Sequence, residues 1–366
     1  LKVFNLNNGL SFFYSICVAI LTYPTAGTPF SDHHTLILCL LALYIFILAI
    51  YKKNNIYWFF IPVLLGFSFL SKQAPTVYVI FLITILSIIF FFKSKNILNF
   101  VTALAGVTTF LIIFFVLLFF GDIEFNDFLI QYFSYPMSLG ESRFEWLFPF
   151  EFQRIVWRYK LQYLSILVLI YLFVKFSLEK KDGKFSDYLI ITSVIIFCLL
   201  TIMHQLMTIN AIFIYCLIPI FCGFSHIYSK KYLKNEKTIG NLLIALTLCS
   251  TFYYYSSYIK NRTFMDLRNI NLENSIDGKE VHPKLSKIKW ITMFFPNEPT
   301  KEASNIKLAL KILEEDKSKK IIITDYQFIS VFLKQYDFSP TRFWYDFHGY
   351  PTEKNIYFSY WKEFVL

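Results

Sequence analysis

Nine apolar stretches, separated by short polar breaks, constrain this chain more than any other feature. They cover residues 10–27, 35–51, 56–71, 74–92, 97–120, 161–178, 187–203, 209–228 and 239–258. A helix needs about 20 apolar residues to cross the hydrocarbon core, within a range of roughly 17–25. Such a sequence has no water-soluble solution for its backbone or its surface. It is expected to be an α-helical polytopic membrane protein with about nine spans. The third stretch is short and contains Pro62. Lys72, Gln73 and Pro75 separate it from the fourth, so the two are expected to form a helical hairpin.

The breaks between stretches carry a sidedness signal. Lys52, Lys53, Lys93, Lys95, Lys180, Lys181, Lys184, Lys230, Lys231, Lys234 and Lys237 all fall in alternate loops, Lys175 lies at the same end of the sixth stretch, and Lys2 precedes the first stretch. By the positive-inside rule these loops are cytoplasmic. The opposite face then carries Asp32, Lys72, residues 121–160, His204-Gln205 and everything after about residue 259. The net charge of +10 is accounted for by this loop lysine, so no nucleic-acid partner is inferred. The six cysteines lie within apolar stretches and form no CxxC pair, so neither disulfides nor zinc–thiolate sites are expected. The expected location is a bacterial-type inner or plasma membrane, with the active face and the C-terminal domain extracytoplasmic.

Two segments stand apart from the spans. Residues 121–160 mix acids, arginines and many aromatics. They are expected to lie along the membrane interface as amphipathic helices broken at Pro136 and Pro149, within a membrane domain of residues 1–258. Residues 259–366 are charged. Ile306, Ala309, Leu310 and Leu313 mark one face of a helix over Glu302–Glu315. Ile321-Ile322-Ile323 reads as a buried strand and Tyr326–Lys334 as a second helix, giving a small extracytoplasmic α/β domain. No glycine-rich phosphate loop follows the strand, so nucleotide binding is not supported.

Chemistry-bearing residues collect on the outer side. Asp32, in Ser31-Asp32-His33-His34, opens the second stretch. A carboxylate at a membrane edge is costly, and such residues tend to be functional. The alternative is a helix cap, in which Ser31 or Asp32 satisfies free N–H groups. Asp32 and His34 also form half of a divalent-cation site, and His33 is expected to face the headgroups. Lys72 is placed to hold a lipid phosphate or to snorkel. His204 and Gln205 either line a pocket or are ordinary interfacial residues. Arg143 can pair with a phosphate, with Glu141 or with Glu145.

Pro29-Phe30-Ser31-Asp32 opening a span, then Gly66-Phe67-Ser68-Phe69-Leu70-Ser71-Lys72 ending the next, resembles the GT-C superfamily of membrane glycosyltransferases. The closest look is to its polyprenyl-phosphate-sugar-dependent branch, the protein mannosyltransferase-like and aminoarabinose transferase-like enzymes. The motifs cover residues 10–95, and span layout covers the rest. The resemblance implies sugar transfer from a polyprenyl-phosphate donor to an acceptor lipid, glycan or protein. It assigns Asp32 to the family's second acid, supporting the acceptor or a metal, and Lys72 to the donor phosphate. The family's first acid lies upstream of the matched region, and nothing before Leu10 corresponds to it. The chain is therefore expected to be an N-terminally truncated fragment. Asp32-His33-His34 also looks like the D-x-H motif of archaeal oligosaccharyltransferase catalytic subunits, with Phe343-Trp344-Tyr345-Asp346-Phe347 a rough echo of their W-W-D-Y-G signature. Transfer from a lipid-linked oligosaccharide is thus one alternative. A transporter or exporter component is another, and it calls for charges deep within spans.

Overall fold

A computed structural model describes residues 1–23, 30–139, 151–179, 185–208, 211–260, 267, 269–318, 324, 326, 328–333 and 350–365. The chain forms two compact units. The first comprises Leu1–Leu129 and Gly140–Asn261, and the second Ile130–Leu139 and Arg262–Leu366.

The first unit is a helical bundle. Its long helices are α1 (Asn8–Leu21), α2 (Ser31–Lys52), α3 (Ile56–Ser71), α4 (Gln73–Ser94) and α5 (Ile97–Phe120). After residues 121–159 come α6 (Lys160–Glu179), α7 (Phe185–Thr208), α8 (Leu217–Tyr232) and α9 (Glu236–Tyr255). Among the described residues, seven helices are long and apolar enough to cross a membrane, and the chain is a helical polytopic membrane protein. The other two expected spans are shorter helices, α1 with 14 residues and α3 with 16. Helix α3 is confined between Asn54-Asn55 and the extended residue Lys72. Span eight begins with a 3-10 turn, Ala211–Ile214, before α8.

Helix ends follow the charge pattern. Helices α2 and α4 both stop at a lysine, Lys53 and Lys95, in the left-handed conformation (φ 53° and 52°). A cation there meets the free carbonyls of the helix C-terminus. Helix α8 is the most enclosed of the spans and α5 the most peripheral. Helices α3 and α5 meet through small residues. Gly66 lies against the Phe110 ring, and Gly106 lies against the Phe59 carbonyl and Pro62. Added side chains would collide at either contact, so these glycines permit the close approach of two apolar helices. All six cysteines are free, five buried and Cys249 exposed.

The segment after α5 departs from expectation. Helical turns run without interruption from Phe125 to Ser138, passing through a wide π turn at Leu129–Ser134. Pro136 falls inside this run, at the start of Tyr135–Ser138, and costs it one N–H donor without ending it, so the expected break does not occur there. Pro149 lies outside the described residues. Residues 130–139 belong to the second unit, where the Gln131 amide donates to the Tyr360 hydroxyl (3.4 Å) and Asn355 to Ser138 (2.9 Å).

The second unit is built around α10 (Pro299–Glu315), which starts three residues earlier than its apolar face suggests. Ala303, Ile306 and Leu310 pack against Val281, Ile329 and Phe332. Strands β1 (Ile276–Asp277) and β2 (Lys289–Trp290) pair antiparallel, with Ile276 opposite Trp290. Glu302, one turn before Ile306 on the same face, is buried. It accepts hydrogen bonds from Trp290 Nε1 (2.9 Å), Thr292 Oγ1 (2.6 Å) and the Tyr326 hydroxyl (2.5 Å). The second helix is a single turn, Ile329–Phe332, and Ile321–Ile323 lies outside the described residues.

Candidate functional site

Three helix ends bring three expected residues together. Asp32 sits in the first turn of α2, Lys72 follows the last residue of α3, and His204 lies four residues before the end of α7. Lys72 Nζ donates to Asp32 Oδ1 at 2.6 Å. His204 Nε2 stands 3.6 Å from the same oxygen. The other Asp32 oxygen has no protein partner among the described residues. Asp32 and Lys72 are 12% and 26% exposed, so both remain reachable from outside the bundle. His204 is buried, with the Tyr78 ring 6.5 Å from its own.

The capping alternative for Asp32 is weakened by this geometry. The capping position is Phe30, which makes no side-chain cap bond. Asp32 still gains from the positive end of the helix dipole, but its carboxylate is directed sideways onto other helices. Two charges brought into a bundle gain from one another only when the contact is close, and 2.6 Å is a charge-assisted bond.

A buried polar seam supports Lys72 from beneath. Ser68 Oγ donates to the Thr35 carbonyl (3.1 Å) and lies 2.8 Å from Thr76 Oγ1. Cys39 Sγ lies 3.1 Å from Ser68 Oγ. The Thr76 hydroxyl donates to the Lys72 carbonyl at 2.9 Å, and the Lys72 N–H donates to the Ser68 carbonyl at 3.0 Å. The seam joins α2, α3 and α4. Sequence reasoning passed over it, although Thr35 with Cys39, and Ser68 with Thr76 on either side of Lys72, are small polar residues at one-turn spacings in apolar helices.

The remaining expected residues fall elsewhere. Gln205 is buried beside His204, and Thr208 Oγ1 donates to its Oε1 at 3.4 Å. His33 is fully buried, not at the headgroups as expected. Its ring packs 4.7 Å from Phe213 and 5.1 Å from Tyr23, and neither nitrogen has a hydrogen-bond partner among the described residues. His34 is exposed beside Tyr23. Arg143, Glu141, Glu145 and the 343–347 run lie outside the described residues. A divalent cation does not fit here. Residues two apart on a helix point to nearly opposite sides, so α2 turns His34 away from Asp32. The ammonium of Lys72 already holds one oxygen of the carboxylate. Among the described residues, no group of three or more His, Cys, Asp or Glu is arranged to hold a metal ion.

A second carboxylate went unnoticed in the sequence. Asp187, in the first turn of α7, accepts from Lys231 Nζ at 2.6 Å and Tyr228 OH at 3.3 Å, and from the Tyr232 hydroxyl. It lies 17 residues before His204, about 25 Å of helix rise away. Its partners recur at Tyr228, Lys231 and Tyr232, one face of a helix opposite an acid, which is the signal that could have found it.

No protein-family model, curated protein or solved structure matches this chain.

Proposed function

We propose that the chain is a membrane glycosyltransferase that moves a sugar from a polyprenyl-phosphate donor to an acceptor at the outer face. The observation that carries this reading is the Asp32–Lys72 ion pair, partly open at one end of the bundle, with His204 against the same oxygen. In such a reaction the bond between the anomeric carbon and the phosphate oxygen breaks, and the acceptor oxygen takes its place. Negative charge grows on the departing phosphate, and a fixed ammonium stabilises it. Lys72 has donors to spare after meeting Asp32. Asp32 holds that ammonium and offers its second oxygen to the acceptor hydroxyl. His204 and Gln205 back the pair from inside the bundle, and Arg143 is the candidate second cation for the phosphate. The residues present do not fit a divalent cation, so the reading uses none.

The nine-crossing path belongs to the same proposal. Helices α1 and α3 rise only about 21 and 24 Å, short of a core of about 30 Å. Flanking residues complete their crossings. The alternation of lysine supports an outward Asp32 and an outward C-terminal unit, a small α/β domain supported by α10 and the β1–β2 pair.

The test is transfer by purified, reconstituted protein given a radiolabelled polyprenyl-phosphate sugar and an acceptor extract. Label should leave the polyprenyl phosphate with the unaltered protein. It should stay there with Asp32→Asn and Lys72→Met, both eluting as folded protein. Undiminished transfer by the two variants, or no release from any polyprenyl-phosphate sugar, overturns the reading.

A further inference from the structure

At the end of the bundle away from Asp32, a groove of about 580 Å³ opens between α6, the end of α8 and the start of α9. That volume is in the range of ligand pockets. Its floor is apolar, made by Leu167, Val168 and Ile239. Its rim is basic and polar, made by Lys175, Lys234 and Asn235. Lys175 lies eight residues beyond Leu167 on α6, so apolar floor and basic rim are separated by about 12 Å along the helix. Leu167 is 52% exposed and Tyr171 on the same wall 56%, so the floor is continuous with the outer, apolar surface of α6.

We propose that this groove binds the phosphodiester headgroup of an anionic phospholipid, with its glycerol and first methylenes on the floor. Basic pockets between membrane helices at the lysine-rich side are suited to such headgroups. The neighbouring charges are consistent with an anion. Lys230 and Lys231 end α8, and Glu236 in the first turn of α9 lines a different hollow, with His226, Lys230 and Lys237. Asp187, joined to the groove through Tyr232, has its charge met by Lys231 at 2.6 Å. Tyr232 links the two features. Its side chain lines the groove while its hydroxyl is given to Asp187. The lateral opening favours a lipid over a soluble anion, because a free phosphate gains nothing from Leu167, Val168 and Ile239.

The experiment is native mass spectrometry of the full chain released from mixed phosphatidylcholine and phosphatidylglycerol vesicles. Phosphatidylglycerol should be retained over phosphatidylcholine. The double variant Lys175→Gln/Lys234→Gln should lose that preference by on the order of tenfold. Leu167→Trp, which fills the floor and keeps both lysines, should lower retention as well. Lys279→Gln, in the other unit, should leave retention unchanged and serves as the folding-neutral control. Millimolar inorganic phosphate should not displace the lipid. Equal retention of the two lipids overturns the proposal, as does a preference that survives the double variant. Displacement by phosphate overturns it in favour of a soluble anion. None of these outcomes depends on sugar transfer, so this inference and the glycosyltransferase reading fail separately.

Discussion

Asp32 and Asp187 are the same side chain in the same local setting, the first turn of an apolar helix, yet their surroundings differ in kind. Asp187 is saturated. One oxygen takes Tyr228 and the other takes Lys231 and Tyr232, all from α8. Asp32 is unsaturated. One oxygen is shared by Lys72, just past α3, and His204 of α7, and the other has no partner among the described residues. A closed carboxylate fastens two helices. An open one, with a cation that retains donors, is arranged to meet something else. Both acids sit at bundle ends, so cost of burial does not separate them; completeness of partnering does.

Substitutions should therefore divide into two classes. The largest effect is expected at Asp32→Asn, which should lower sugar transfer by on the order of a thousandfold while barely moving the thermal midpoint. A comparable fall in both would erase the contrast. Lys72→Met should cost about a hundredfold in transfer by removing the cation from the growing phosphate charge, measured at saturating donor. Asp187→Asn should do the reverse. Transfer per folded molecule should hold, while unfolding stability falls by about 2 kcal/mol, below the usual cost of breaking a buried pair because Lys231 is half exposed. Ser68→Ala tests the seam beneath Lys72. It should cost about 1 kcal/mol and lower transfer only a few-fold, since Lys72 keeps its partner but loses part of its footing.

The smallest effect lies in the second unit, at a carboxylate of a third kind. Asp277 is partly exposed, and the N–H of Lys279, which donates to its Oδ1 at 3.0 Å, holds its pKa below the usual carboxylate value. A depressed folded value means that the carboxylate stabilises the fold above its unfolded pKa. That contribution is lost as pH falls through the folded value. Asp277→Ala should remove a small acid-side slope in the stability of this unit, followed by fluorescence of Trp290 on strand β2. An unchanged slope would show that exposed capping is silent here.

Much of the bundle could be read from the chain because hydrocarbon imposes one rule on every span. Long apolar runs declare themselves, and lysine placement orders their ends. The convergence of Asp32, Lys72 and His204 was foreshadowed by that ordering, since all three were assigned to one face. What stayed hidden was rotational. Which side of α2 His33 and His34 occupy depends on packing, not on their adjacency to Asp32. His33 became a core residue and His34 an exposed one for that reason. The Asp187 cluster was hidden too, because an acid at the start of a stretch and a lysine at the end of another each look ordinary alone. Glu302 is the soluble-side case. Its charge hid a position that shares the apolar face of Ile306, and three donors from Trp290, Thr292 and Tyr326 satisfy it there.

Lys72 has a further consequence as backbone. Its extended residue (φ −166°, ψ 133°) closes α3 through its N–H and receives Thr76 of α4 at its carbonyl. The residue bearing the ammonium is therefore also part of the joint of the hairpin, together with the extended Ala74. A swing of α4 against α3 that turns on Lys72 displaces Nζ, and a contact of 2.6 Å tolerates little displacement. Conversely, an anion that immobilises Nζ stiffens the joint. Occupancy of the site should thus be readable far from any chemistry, as slower amide hydrogen exchange along residues 67–78.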